Sequence, residues 1–165
     1  MPTTLPMAIE FRLPEGWLPA RPEGLGAADV AFAAVHPQPD AGFAANITID
    51  GEVPAGAATL AALADESVER LREVDEAAVV ASRREVGSVD APALIQRLAF
   101  STVVDGARRD LVQSQVYLSL SDVEDPHKRA VIRLALTATA AQHDAVLDDF
   151  QDFVRTVRTD AGASS

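Results

Sequence analysis

The hydrophobic pattern changes period several times along the chain. Ile9, Phe11 and Leu13 alternate with polar residues, so residues 8–13 are predicted to form a half-buried strand, stopped by Pro14-Glu15-Gly16-Trp17. Pro19, Pro22, Gly24 and Gly26 mark the segment up to Ala28 as loop. A second strand is expected over 29–35 and a third over 43–50, where Phe43, Ala45, Ile47 and Ile49 share one face; the turn-forming residues 36–42 make the two a hairpin. Beyond the breaker at 51–56, Leu60, Leu63, Ala64, Val68, Leu71 and Val74 recur at helical spacing, with Thr59 placed to cap the helix.

Four further strands are predicted over 78–86, 92–103, 110–121 and 129–139, separated by Gly87-Ser88, Asp105-Gly106 and the polar stretch 122–126. Short polar connections between consecutive strands favour an antiparallel meander. A last helix starts near His143-Asp144 and lines up Val146, Leu147, Phe150, Phe153, Val154 and Val157 on one stripe. The predicted order is β-β-β-α-β-β-β-β-α. This is an α+β domain over 1–158 with a mainly antiparallel sheet, helices packed on it as an α/β/α-like sandwich, and a flexible tail at 159–165.

Strand parity then separates two faces. Val112, Val116, Leu118 and Leu120 are expected to face a helix together with Leu94, Leu98, Phe100, Ile132, Leu134 and Leu136. The opposite set is Arg97, Gln113, Gln115, Tyr117 and Arg133, a polar-aromatic surface whose guanidinium groups suit a carboxylate or a peptide backbone. An ordinary solvated sheet face produces the same pattern. Trp17, after its Pro-Glu-Gly corner, is the one other candidate anchor for a partner, with packing over the sheet edge as the default.

Composition removes several function classes. A net charge of −11 over 165 residues gives a field that repels phosphate backbones and anionic lipid, so nucleic acid and membrane surfaces are not expected partners. Cysteine is absent, which removes thiolate nucleophiles, disulfides and cysteine-held zinc. Residues 1–10 show no basic group followed by an apolar run, so neither an export signal nor a transit peptide is predicted, and a cytoplasmic setting is expected.

No motif nominates chemistry. His36, His127 and His143 are scattered and lack ligand spacing, so they are expected to be solvated, and no metal or cofactor is called for. Asp144, Asp148, Asp149 and Asp152 form an acidic helix stripe of the kind usual in acidic proteins. Gly24 and Gly26 have dinucleotide-loop spacing, but no preceding strand and no βαβ unit surrounds them. Neither a phosphate loop nor a nucleophile elbow is present, and the spacing of serine, histidine and aspartate suggests no triad.

Several segments together resemble the PsbP-like fold group, which includes the DcrB-like domains, effector chaperones of type VI secretion and the actinobacterial LpqN-like proteins. They are Ile9-Glu10-Phe11-Arg12-Leu13-Pro14-Glu15-Gly16-Trp17, Ala45-Asn46-Ile47-Thr48-Ile49 and Gln113-Ser114-Gln115-Val116-Tyr117, closing with residues 134–140 and 149–157. The resemblance implies a sheet between helices, no shared catalytic residues, and a role in binding or assembly. The expectation is a non-enzymatic protein-binding module, an adaptor or chaperone, acting as monomer or homodimer, whose partner docks at Arg97, Gln113, Gln115, Tyr117 and Arg133 or at Trp17. The alternatives are a small-ligand carrier for a lipid or metabolite, and an uncharacterised hydrolase.

Overall fold

The structure is a computed structural model that describes residues 9–21, 30–39, 43–53, 59–87, 92–104, 106–121 and 129–159. Gly24, Gly26, His127 and residues 160–165 of the expected tail lie outside them. The strands are β1 (Ile9–Glu10), β2 (Leu18–Ala20), β3 (Phe32–Val35), β4 (Asn46–Glu52), β5 (Val79–Gly87), β6 (Pro92–Val104), β7 (Ala107–Ser121), β8 (Arg129–Thr139) and β9 (Arg158–Thr159). The helices are α1 (Leu60–Val74) and α2 (His143–Thr156). No helix among the described residues is long and apolar enough to cross a membrane.

Seven strands form one sheet in the order β2-β3-β4-β8-β7-β6-β5, and every neighbouring pair is antiparallel. The predicted class and the predicted meander from β5 to β8 are therefore observed. β4 and β5 run in the same direction with three strands between them, and α1 crosses one face of the sheet to connect them. The Thr59 hydroxyl accepts the Ala62 N–H and caps the start of α1, as its position suggested. Its far end is tied down by Asp75, whose carboxylate accepts the backbone N–H groups of Ser101 and Ala77. These bonds hold the Asp75 pKa below the usual carboxylate range.

α2 lies on the other face. Val146, Phe150 and Phe153 are buried against Ile47, Ile49, Ile132, Leu134 and Leu136, and Leu147, Val154 and Val157 flank this core. The stripe read from the sequence is the packed face. Burying it removes the apolar surface of α2 from water at roughly 25 cal/mol per Å². Phe11 meets Phe153 and Phe32 edge-on, which joins the N-terminal segment to the same core.

Three local expectations change. Of the described residues 9–13 only Ile9 and Glu10 are strand, and they pair with β9 in a separate two-stranded ribbon. Phe11 and Leu13 leave the ribbon because their side chains pack in the α2 core, so alternation here reflects burial without sheet pairing. The predicted loop after Trp17 contains β2, an edge strand that tolerates the missing N–H of Pro19. Thr159, assigned to the tail, is paired with Ile9.

Phe150 has 2% of its surface exposed, whereas Asp152 on the same helix pairs only with Arg155 in solvent. Phe150→Ala is expected to lower unfolding free energy by about 3–5 kcal/mol. Asp152→Ala should change it by less than about 0.5 kcal/mol. Urea titration of the two variants measures both.

Candidate functional site

Because α1 covers the sheet face that carries Tyr117, the polar side chains beneath it must find partners within the protein. Register makes this possible. Arg83, Gln96 and Gln115 stand side by side on β5, β6 and β7, and Tyr117, Arg133 and Asp50 stand side by side on β7, β8 and β4. Tyr117 and Gln115 are two residues apart on β7, so they share a face and join the two rows.

The resulting chain of bonds crosses five strands. Arg83 donates from Nε (3.0 Å) and Nη2 (2.8 Å) to Gln96 Oε1 and from Nη1 to Asp65 (2.7 Å). Gln96 Nε2 donates to Gln115 Oε1 (2.6 Å) and to the Ala64 carbonyl of α1 (3.2 Å). Tyr117 donates to the same Gln115 oxygen at 3.1 Å, and its hydroxyl is in short contact with Ser67 Oγ. Gln115 also donates to Gln113, which donates to Thr137. Gln96, Gln115 and Tyr117 are buried, at 0%, 1% and 2% exposure. Burial pushes the Tyr117 pKa up, against the lowering effect of its Ser67 contact and of the Arg133 charge.

The chain reaches solvent at both ends, through the Arg83–Asp65 pair at β5 and through the groups around Ser67 at β8. Ser67 Oγ accepts from Arg133 Nη1 (3.0 Å) and Arg70 Nη2 (3.3 Å), and Arg133 Nη2 pairs with Asp50 at 2.9 Å. Asp50, Arg70 and Arg133, with Glu52, Leu63, Tyr117 and Val131, line a recess of about 200 Å³ beside Ser67. Two guanidinium groups meeting one hydroxyl give a dense set of N–H donors, and Asp50 and Glu52 supply acceptors beside them.

The structure redistributes the six candidate residues. Gln113, Gln115, Tyr117 and Arg133 share one face as expected, but α1 covers that face, and only Arg133 and Tyr117 reach the recess. Arg97 lies on the opposite face. It pairs in register with Ser114, whose side chain points to α2, while Leu94 and Leu98 share the face of Tyr117. The parity assigned to β6 is therefore corrected: this strand is apolar on both faces, Leu94 toward α1 and Ile95 toward α2, so its leucines do not mark a side. Trp17 is 5% exposed; its Nε1–H donates to Asp149 of α2 at 3.0 Å, and its ring meets His36 edge-on. Gly16, at φ +88°, permits the turn closed by Trp17 N–H on the Pro14 carbonyl. Arg70 and Ser67 were not singled out from the sequence; their i, i+3 spacing on the flank of the apolar stripe was the available signal.

No protein-family model and no curated protein matches the chain by sequence. Solved structures do match. LpqN of Mycobacterium tuberculosis, described as involved in cell envelope biogenesis, has a TM-score of 0.61 at 14% identity, covering 90% of this chain and 81% of that one. Cyanobacterial PsbP from Synechocystis sp. PCC 6803 has a TM-score of 0.61 at 13% identity, covering 95% and 89%. The Saccharomyces cerevisiae Ran-binding protein Mog1p has a TM-score of 0.60 at 16% identity, covering 94% and 92%. The fold is PsbP-like.

On this PsbP-like frame, the second polar cluster is buried at the start of α2. His143 is 2% exposed, not solvated as expected, with Nε2 at 2.8 Å from Ser114 Oγ and Nδ1 at 3.6 Å from Asp144. The order serine, histidine, aspartate imitates a triad. However, Ser114 and His143 are both buried, the Asp144 side chain is 92% exposed, and 3.6 Å exceeds hydrogen-bond length. The geometry is that of a joint fastening α2 to β7.

Burial, with a smaller contribution from the Arg97 charge, lowers the His143 pKa from its ordinary 6.5, and Asp144 opposes this. The folded chain holds the ring neutral while the unfolded chain protonates it, so the stability it contributes is complete above pH 6.5 and is lost as pH falls below that value. His143→Gln keeps a partner for Ser114 without the titration. Its unfolding free energy, measured by urea at a series of pH values, is expected to vary less than that of the native chain between about pH 7 and 5.

Proposed function

We propose that this PsbP-like chain is a protein-binding module of adaptor or chaperone type, with its partner docking on the rim of the recess between α1 and the β4–β8 strands. The observation that carries the proposal is the convergence of Arg70 and Arg133 on Ser67, backed by the buried bonds of Tyr117, Gln115 and Gln96. Arginine in a partly desolvated, preorganised setting is a frequent energetic anchor of protein interfaces, and the buried bonds behind it fix its orientation before a partner arrives. A Ran-binding protein shares the fold, which supports partner binding as a use of this frame.

A lipid carrier fits less well. Ligand cavities usually span roughly 300–1,000 Å³ and are mostly apolar. The recess measures about 200 Å³ and is framed by Arg70, Arg133, Asp50 and Glu52. Under α1 the space is filled by Leu63, Ala64, Leu94 and Tyr117.

The test keeps the fold intact. Replacing Arg133 by alanine would leave Asp50 without its half-buried partner and unsettle the sheet. Arg70→Ala combined with Arg133→Lys removes both guanidinium forks and retains a cation beside Asp50. Affinity capture from the native host, followed by reconstitution with the purified partner, should show binding weakened at least about tenfold in the double variant at an unchanged melting temperature. Equal capture by native and variant protein would reject the recess as the docking site.

A further inference from the structure

Against a net charge of −11, three arginines line a single cleft of about 360 Å³ where the β1–β9 ribbon meets the last turn of α2. Arg12, Arg155 and Arg158 are joined there by Glu10, Phe11 and Thr156. This cleft lies on the α2 side of the sheet, opposite the recess under α1.

Arg12 is held at its backbone and free at its side chain. Its N–H donates to Thr156 Oγ1 at 2.8 Å, and that hydroxyl lies 3.3 Å from the Arg12 carbonyl and donates to the Phe153 carbonyl at 2.7 Å. The Arg12 guanidinium makes no hydrogen bond or ion pair among the described residues. Arg155 pairs with Asp152 and Arg158 with Glu10, in contacts whose side chains are 44% to 77% exposed. Ion pairs of this kind contribute little and exchange readily for another carboxylate. A cation near the C-terminus of a helix complements its dipole, which accounts for Arg155. Arg158 faces Glu10 across the β1–β9 ribbon, so of the three only the Arg12 guanidinium has no structural role among the described residues.

Three exposed guanidinium groups on three separate segments suit a chain of acceptors better than a single ion. A lone oxyanion in this open setting would gain a screened contact or two, with no buried donor to hold it. An extended peptide can place successive carboxylates on successive forks and add an apolar contact on Phe11. The overall negative field disfavours long polyanions such as nucleic acid and anionic membranes, and it penalises a short acidic segment far less. We infer that this cleft docks a short acidic segment of a partner protein through Arg12, Arg155 and Arg158. The inference rests on the protein-binding reading only for the class of occupant, because its residues are separate from those of the recess.

The probe is a fluorescein-labelled oligoglutamate peptide with a central leucine, its binding followed by fluorescence anisotropy at low salt. Saturable binding is expected, weakening as salt rises, and absent for the matching oligolysine peptide. Arg12→Glu combined with Arg155→Glu should weaken it at least about tenfold. Neither residue lies within a paired strand, so circular dichroism should match that of the native chain, and the melting temperature should fall only slightly as the Arg155–Asp152 pair and the helix-dipole contact are lost. Arg70→Ala with Arg133→Lys should leave peptide binding unchanged, which separates failure at this cleft from failure at the recess. Lack of saturable binding, equal affinity in the Arg12→Glu/Arg155→Glu variant, or full displacement by millimolar inorganic phosphate would each overturn the assignment, the last by showing a site for small oxyanions.

Discussion

Covering both faces of the central strands is the constraint from which the rest of this structure follows. α1 lies on one side of β6 and β7 and α2 on the other side of β8, so side chains beneath the helices, such as Gln96, Gln115 and Ser114, have no route to bulk water. Apolar residues meet this condition by packing. The polar ones can meet it only sideways, through neighbours on adjacent strands, or upward, through the helix above them. Gln96 does both, bonding Gln115 across the ladder and the Ala64 carbonyl overhead. The small side chain of Ser67 lets α1 come close enough for its hydroxyl to meet Tyr117 and Arg133.

How far the sequence discloses this depends on which physical signal each residue carries. α2 was legible because one side of the helix is wet and the other dry, and the period of 3.6 records that contrast directly. The limits of β5, β6, β7 and β8 were legible from the glycine and acidic residues that interrupt their apolar runs. The face assignment failed for β6 because a strand dry on both sides carries no alternation, and Leu94 and Ile95 are equally apolar neighbours. The candidate surface failed as an open face for a related reason. Gln113, Gln115 and Tyr117 look like solvent-facing residues, and nothing local shows that Gln96 and Ser67 will arrive to satisfy them. His143 misled in the same way, since its partner Ser114 is distant in sequence.

Proteins sharing this frame at 13% to 16% identity show how little of the side-chain content the fold requires. Two packed helices and an antiparallel sheet can be built from many residue sets of suitable size and polarity. The arginine pair over Ser67 and the arginine-lined cleft beside Phe11 are not required by the fold as such, and they lie at its exposed margins. They sit on opposite sides of the sheet, an arrangement suited to holding two contacts at once.

The order of the strands has a kinetic corollary. β5 to β8 can assemble as neighbours in sequence, whereas β4 must wait for β8, since Asn46 pairs with Thr137 with α1 and β5 to β7 between them. Closing that seam requires a long loop to be gathered before any contact repays its entropy, which is the slow kind of step in sheet formation. Until it closes, the inner edge of β8 carries unpaired N–H and carbonyl groups and stands open to another strand. At the far edge, a bulge between Val80 and Ser82 interrupts β5, and Arg83 turns back toward Gln96, so regular pairing with a neighbour is blunted there. Protection is thus built into the edge that stays exposed, and the edge that is vulnerable only while the chain folds depends on the speed of its own closure.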